Sequence, residues 1–210
     1  MKKIIVSGDR GFVGKHLTAR LLKNKNIKLF KMDRRHGNVK NKHTWNALSS
    51  ANVLVHLAGM SFPPNTWANP EKCIQSNVLG TLMALEYCKT HKTKMIFVSS
   101  YMYGNPDKLP TNEKAKIKIN NPLALSKSLC EEVCKFYAKS YGLKVIILRP
   151  SNIYGPGQKN FWLIPDIINK FKMKKIVVNN LNVKRDLIYI SDFVEAIIKS
   201  ISLKSNFQIF

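Results

Sequence analysis

Short apolar runs alternate with longer amphipathic runs along all 210 residues of the chain. The short runs rarely alternate between apolar and polar positions, which is typical of strands buried on both faces of a sheet. They predict six strands, which are Lys2 to Ser7, Ile27 to Asp33, Asn52 to Leu57, Lys94 to Ser100, Lys144 to Arg149 and Lys175 to Asn179.

The longer runs carry apolar positions at helical spacing. They predict five helices, which are Phe12 to Asn24, Pro70 to His91, Pro122 to Tyr141, Trp162 to Lys172 and Ser191 to Ser202. Strands that alternate with helices indicate a doubly wound parallel sheet, an α/β fold with helices on both faces. Pro63-Pro64 and the segment from Asn105 to Asn121 are predicted to be loops near the carboxyl ends of strands, where such sheets bind ligands.

Three glycines follow the first predicted strand at the spacing of a dinucleotide-binding turn. These glycines are Gly8, Gly11 and Gly14. They permit a tight turn, let the backbone approach a phosphate and let the following helix pack closely on the strand. The next helix would point its first amides, those of Phe12 and Val13 among them, at a pyrophosphate. The motif predicts a Rossmann-type cofactor site, and a simple glycine-rich turn is the alternative.

An acidic residue ends the second predicted strand. Asp33 lies nineteen residues beyond Gly14, where a carboxylate accepts hydrogen bonds from the adenosine ribose. Its charge would repel the extra phosphate of NADP and so favours NAD. Arg34 and Arg35 follow at once and could receive that phosphate, so NADP stays possible.

Length and composition favour one domain spanning residues 1–210, since the chain is too short for two substantial domains. No apolar stretch approaches the roughly 20 residues of a membrane span, and no signal peptide is evident. The four cysteines lack the clustering of metal ligands, so we expect no metal site. Reduced thiols favour a cytoplasmic location.

The net charge of +23, from 35 basic and 12 acidic residues, could attract nucleic acid, an anionic membrane or small phosphates. Only six of the basic residues are arginine, and the lysines are scattered along the chain. This even spread disfavours nucleic acid as the main partner. A basic protein that binds nucleic acid is still one of the interpretations left open. Small phosphate-bearing ligands would still be drawn to the surface.

Together with the glycine turn, five further motifs resemble the extended short-chain dehydrogenase/reductase family, in particular its NAD-dependent nucleotide-sugar epimerases and dehydratases. These motifs are Val55 to Gly59, Asn77 to Thr81, Val98 to Gly104, Arg149 to Gly157 and Arg185 to Tyr189. The resemblance covers nearly the whole chain. It implies a cofactor site lined by Ala58 and Gly59, support of the catalytic region by Asn77, and a nucleotide-sugar diphosphate held by Asn152 and Arg185. An ion pair of Arg185 with a neighbouring aspartate is the alternative.

The same resemblance implies a catalytic trio of serine, tyrosine and lysine. Ser99 and Lys127 occupy the serine and lysine positions, and Lys127 would also bind the nicotinamide ribose. The tyrosine position, four residues before Lys127, holds Leu123, which cannot transfer a proton. Loss of a positioned acid or base typically costs roughly a hundredfold to ten-thousandfold in rate, so catalysis by this chain is expected to be impaired.

Tyr101 and Tyr103 lie close to Ser99 in the sequence, and Tyr101 is a candidate to replace the lost phenol. Dehydratases of the family place an acidic pair directly after the hydroxyl residue. This chain has Ser100 and Tyr101 there, which disfavours sugar 4,6-dehydration.

Relatives continue past the point where this chain stops, with a smaller region that closes over the sugar nucleotide. The resemblance therefore predicts that the substrate-binding part, which begins near residue 150, is largely missing and that the chain is truncated at Phe210. The last residues, from Phe207, resemble the start of a strand. The resemblance also predicts a homodimer. A working epimerase and a disabled, truncated cofactor-binding relative are both left open.

Overall fold

A computed structural model describes residues 1–101, 104, 106–173 and 182–210. It contains eight strands in these residues: β1 Lys2–Ser7, β2 Ile27–Met32, β3 Val53–His56, β4 Lys94–Val98, β5 Val145–Leu148, β6 Asn152–Tyr154, β7 Leu187–Tyr189 and β8 Phe207–Ile209. Six of them form a parallel sheet in the order β2-β1-β3-β4-β5-β8, and β6 pairs with β7 in a second parallel sheet. The predicted doubly wound sheet is confirmed.

The described residues also contain eight α-helices: α1 Phe12–Leu22, α2 Lys42–Asn46, α3 Pro63–Ala68, α4 Pro70–Ile74, α5 Gly80–His91, α6 Pro122–Tyr141, α7 Leu163–Lys172 and α8 Ile190–Ser202. A short 3₁₀ helix, Arg34–His36, follows β2. One π-helical turn, Gln75–Leu79, joins α4 to α5 within the single helix predicted over Pro70 to His91.

Most predicted elements are found with ends shifted by one or two residues. The prediction of a loop at Pro63-Pro64 was wrong, because two prolines start α3, where the missing amide hydrogens are tolerated. The loop predicted from Asn105 to Asn121 contains no helix or strand in residues 106–120. The predicted strand Lys175 to Asn179 lies outside the described residues. The strand expected from Phe207 is β8, while β6 and β7 were not predicted.

The core lies on both faces of the six-stranded sheet, since successive side chains of a strand point to opposite faces. On β1, Ile5 joins one buried cluster and Ile4 and Val6 join the other. The first cluster contains residues of α5 and α6, and the second contains residues of α1 and α8. Burial on both faces explains the unalternating apolar runs of the strands.

None of the helices in the described part of the chain is both long and apolar enough to cross a membrane. All four cysteines are buried and free of disulfides. The described residues contain no group of three or more side chains arranged to hold a metal ion.

Candidate functional site

The carboxyl edge of the large sheet collects most residues that the motifs single out. Gly8 follows β1, Asp33 follows β2, Ala58 lies two residues beyond β3, and Ser99 follows β4. The strands β2 and β3 flank β1 on opposite sides, so the chain reverses direction across the sheet at this point. Ligands of such sheets bind in the crevice at this reversal.

The glycine loop, residues 8–14, packs too tightly for side chains at two of its glycines. Gly8 has a φ of +77°, and a Cβ placed there would lie 2.9 Å from the amide nitrogen of Ala58. A Cβ on Gly14 would lie only 2.2 Å from the carbonyl oxygen of Gly8. Gly11 is less crowded, with 3.2 Å to the same oxygen. Helix α1 therefore approaches β1 more closely than any side chain would permit.

The first turn of α1 presents amides at this loop that have no partner in the described part of the chain. Gly11 is the N-cap and supplies no side-chain hydrogen bond, and no acidic residue occupies the first turn. The helical hydrogen bonds begin with Lys15 N donating to Gly11 O at 3.0 Å, so the amides of Phe12, Val13 and Gly14 precede them. These three amides and the positive end of the helix are suited to an anionic group such as a pyrophosphate.

Asn77 connects the loop after β3 to helix α6. Its Oδ1 accepts from the amide of Met60 at 2.7 Å, and its Nδ2 donates to Met60 O at 3.0 Å and to Ser126 Oγ at 2.8 Å. A Cβ on Gly59 would lie 2.6 Å from Asn77 Oδ1, so only glycine suits that position. Asn77 lies in the π-helical turn, a feature often found at functional sites.

Lys127 extends from α6 to the end of β4. Its Nζ donates to the carbonyl oxygen of Val98 at 2.7 Å and lies 4.8 Å from the centre of the Phe97 ring. Burial lowers the pKa of Lys127 from its ordinary value. The ammonium group thus lies against the residue that immediately precedes Ser99.

Ser99 carries a buried hydroxyl without a partner in the described residues. The residue is 5% exposed, and its Oγ forms no hydrogen bond within that part of the chain. Buried hydroxyls are normally paired, so an unpaired one at a sheet edge is a candidate contact for a ligand oxygen. The crowded glycines and the amides at the start of α1 fit a dinucleotide, and the Ser99 hydroxyl could contact an oxygen of a bound ligand.

Leu123 lies one helical turn before Lys127 on α6, where the family resemblance expects a tyrosine. The helix begins with Pro122 after Asn121, whose side chain accepts from the amide of Ala124 at 2.8 Å. The carbonyl of Leu123 accepts from Ser126 Oγ at 2.8 Å, while its half-buried side chain has no group that titrates. The site thus has Lys127, bonded to the residue before Ser99, but no phenol at position 123.

The expected substrate residues lie at the second, two-stranded sheet. Tyr101 donates through its hydroxyl to Asn152 Oδ1 at 2.9 Å, and Asn152 Nδ2 donates to Asp186 O at 3.0 Å. Arg185 precedes Asp186, so the structure brings Arg185 and Asn152 to the same region. Arg185 is exposed and forms no ion pair with the rest of the described chain, including the neighbouring aspartates. Tyr103 lies outside the described residues.

The carboxylate of Asp33 is already engaged by neighbouring groups. Oδ1 accepts from the amide of Arg35 at 2.9 Å and lies 3.1 Å from Nδ1 of His36, while Oδ2 accepts from Arg35 Nε at 2.9 Å. Arg10, from the glycine loop, reaches Oδ2 at 3.6 Å. Burial raises the pKa of Asp33, but hydrogen bonds from the Arg35 amide, His36 and the Arg35 guanidinium outweigh it and hold the pKa below its ordinary value.

His56 ends β3 directly beneath the site. Its Nδ1 lies 2.7 Å from Ser7 Oγ at the end of β1, and its Nε2 has no partner in the described residues. Burial, with a smaller effect from the charge of Lys127, lowers the pKa of His56 to about 3. The imidazole is therefore neutral at physiological pH.

Sequence reasoning missed several contributors to this site. Arg10 contacts Asp33 because the glycine loop lies beside the end of β2 at the sheet edge, and His36 contacts it from three residues further along, within the 3₁₀ turn that Asp33 caps. Ser126 joins Asn77 to α6 across 49 positions of sequence. The sequence offered one hint of the role of Ser126, which is that it directly precedes Lys127.

A comparison with known protein families shows the family to which this chain belongs. The sequence model of the NAD dependent epimerase/dehydratase family matches residues 4–209. This chain belongs to that family. Its relatives include a GDP-6-deoxy-D-mannose reductase of Pseudomonas aeruginosa, 30% identical over 96% of this chain and 71% of the relative. A dTDP-D-glucose 4,6-dehydratase of Dictyostelium discoideum is 31% identical over 93% of this chain but only 54% of its own length.

Solved structures of family members confirm the fold. RMD from Pseudomonas aeruginosa, complexed with NADPH, superposes with a TM-score of 0.86 at 29% identity, covering 96% of this chain and 74% of that one. UDP-glucose 4-epimerase of Thermotoga maritima, with UDP-glucose, superposes with a TM-score of 0.92 at 22% identity, over 99% and 75% of the two chains. This family member therefore spans about half to three quarters of the length of these relatives.

Proposed function

We propose that this family member binds a nicotinamide dinucleotide and a nucleotide sugar, and that its epimerase chemistry is impaired because Leu123 stands where a tyrosine is required. The dinucleotide part is supported by the crowded glycines, the free amides of α1 and the unpaired Ser99 hydroxyl. Relatives complexed with NADPH or with UDP-glucose support both ligand classes.

The observation that carries the proposal is the contrast along one face of α6. Lys127 Nζ donates to the carbonyl oxygen of Val98, the residue before Ser99, yet the residue one turn earlier on α6 is leucine. A bound nicotinamide would supply a hydride acceptor at the sugar carbon. This chain would supply binding, a hydroxyl at Ser99 and the positive charge of Lys127, but no group at position 123 to take the proton of the reacting hydroxyl.

The test is dinucleotide binding by calorimetry together with turnover of UDP- and GDP-sugars. We expect binding with negligible turnover in the wild type, and a rise of about a hundredfold in Leu123→Tyr. Leu123→Phe is the matched control, because it adds the ring without the hydroxyl and should stay inactive. Efficient epimerisation by the wild type would refute the impairment, and absence of dinucleotide binding would refute the proposal as a whole.

Tyr101 is a candidate to transfer the proton in place of the missing tyrosine, because it lies two residues after Ser99 in the sequence. Its hydroxyl is directed at Asn152 Oδ1, which ties it to the region expected to hold the sugar nucleotide. If the wild type shows measurable turnover, Tyr101→Phe should abolish it. An unchanged rate in that variant would exclude Tyr101.

We also infer a reducing, cytoplasmic environment, supported by four buried cysteines without disulfides. A homodimer remains part of the proposal. The exposed side chains of Leu129 and Phe136 on α6 are consistent with an interface there.

A further inference from the structure

The end of β2 presents guanidinium groups where the sequence suggested a carboxylate. The side chain of Asp33 is only 6% exposed, whereas those of Arg10 and Arg35, which contact it, are 64% and 69% exposed. A ligand that approaches this part of the sheet edge therefore meets the arginines first.

Arg35 is held in place by Asp33 but keeps donors to spare. Its Nε bonds to both carboxylate oxygens, at 2.9 Å and 3.2 Å, and its amide bonds to Oδ1. A guanidinium carries five N–H donors, and no bond from the terminal amino groups of Arg35 to a described residue is found. The aspartate thus orients a guanidinium whose outer donors remain available.

The local charge favours an anion. Arg10, Arg34 and Arg35 contribute three permanent positive charges, while Asp9 and Asp33 are the two carboxylates of the glycine loop and of the 3₁₀ turn with its cap. Arg34 is exposed and forms no ion pair with any other described residue. A phosphate monoester carries close to two negative charges, and guanidinium groups bind it through paired hydrogen bonds.

The end of β2 is where the adenosine ribose of a dinucleotide lies in this type of fold. We propose that the arginine cluster, Arg10, Arg34 and Arg35, binds the 2′-phosphate of that ribose, so that the chain prefers NADP(H) to NAD(H). This inference rests on the proposed dinucleotide site. Asp33 then acts as an anchor for Arg35 and not as a ligand of the ribose hydroxyls.

The opposite arrangement is less accessible. For Asp33 to accept hydrogen bonds from an unphosphorylated ribose, the ribose must reach a side chain that is only 6% exposed and that already accepts from the amide and the guanidinium of Arg35. The 2′-phosphate needs no such access, because the outer donors of Arg35 already face solvent.

The experiment is a titration of the full chain with NADPH and with NADH, followed by fluorescence and calorimetry. We expect NADPH to bind at least about tenfold more tightly. Adenosine 2′,5′-bisphosphate against 5′-AMP should give the same order, which locates the preference at the ribose phosphate without the nicotinamide.

Arg35→Ala should weaken NADPH binding by about tenfold or more and free Asp33 for a ribose, reversing the preference. Arg20→Ala is the matched control, since Arg20 is an exposed arginine at the far end of α1 that also pairs with a carboxylate, Glu195. It removes the same charge and should leave the ratio of the two affinities unchanged.

Equal or tighter binding of NADH by the wild type would overturn the NADP preference while leaving the proposed function intact. Binding of neither dinucleotide would overturn both. A loss of NADPH affinity as large in Arg20→Ala as in Arg35→Ala would show that net charge, and not the arginine cluster, is responsible.

Discussion

The glycine loop after β1 and the first turn of α6 lie at the same edge of the sheet but differ in what determines their residues. In the loop, the fold itself excludes side chains, since a Cβ on Gly14 would overlap the backbone of Gly8. At the start of α6, backbone bonds and the Asn121 cap hold the helix, and the half-buried side chain of Leu123 takes no part in them. Packing therefore constrains Gly8 and Gly14 of the cofactor loop to glycine, whereas nothing in the backbone bonds of α6 constrains the residue at the proton-transfer position.

The largest effect is expected from Gly14→Ala, which challenges the claim that the loop is constrained by packing. Its Cβ would meet backbone atoms of Gly8 and Asp9 at 2.2 to 2.8 Å, so α1 must move away from β1. We expect a loss of about 3 kcal/mol or more in the free energy of unfolding, measured by denaturant titration.

The matched control is Gly11→Ala in the same loop, where the closest atom would be 3.2 Å away. We expect a loss of about 1 kcal/mol or less for this change. Equal losses in the two variants would show that the loop is no more constrained than an ordinary turn.

A smaller loss is expected when the connection between the two regions is cut. Asn77→Ala removes the side chain that bonds Met60 on the cofactor side and Ser126 on α6. Because the buried Ser126 and the half-buried backbone of Met60 then lose partners, we expect a cost of about 2 kcal/mol in the free energy of unfolding.

Gln75→Ala, in the same π-helical turn, is the control, since among the described residues its side chain bonds to the exposed Glu71 and to Lys40 alone. This variant should lose about 0.5 kcal/mol in the free energy of unfolding. If Asn77→Ala is as mild as this control, Asn77 does not couple the loop to α6.

The smallest effect is a dependence of stability on pH that arises beneath both regions, at His56. An unfolded histidine takes up a proton near pH 6.5, while burial and Lys127 keep the pKa of native His56 at about 3. The unfolded state therefore binds more protons between these values, and stability falls as the pH is lowered through this range. Between pH 7 and pH 5, the titration of His56 should lower the free energy of unfolding by about 2 kcal/mol.

Denaturant titrations of the wild type and of His56→Asn at the two pH values measure this loss of stability, which the variant should not show. NMR titration of Lys127→Met sharpens the comparison, since removal of that charge should raise the pKa of His56. An unchanged pKa would mean that the ammonium on α6 does not act on the cofactor side of the site.

Much of this arrangement could be predicted because it depends on local patterns. The apolar runs located five strands of the large sheet and the motif glycines located the turn after β1, since burial on two faces and close backbone contact leave direct traces in composition. The short strands β6 and β7 could not be predicted, because each has three residues and exists only through pairing with the other. Likewise, the double proline of α3 has the same local signal in a turn and at a helix start.

By itself, the sequence determined the doubly wound sheet, the glycine loop and the absence of a phenol at position 123, all of which depend on residue type and spacing. Only the tertiary structure decided what surrounds the acidic residue after β2. Arg10 contacts Asp33 because the glycine loop and the 3₁₀ helix meet at one edge of the sheet, and the side chain of Asp33 is left only 6% exposed. The charge that a ligand meets depends on such contacts in space, which the spacing of residues along the chain does not encode.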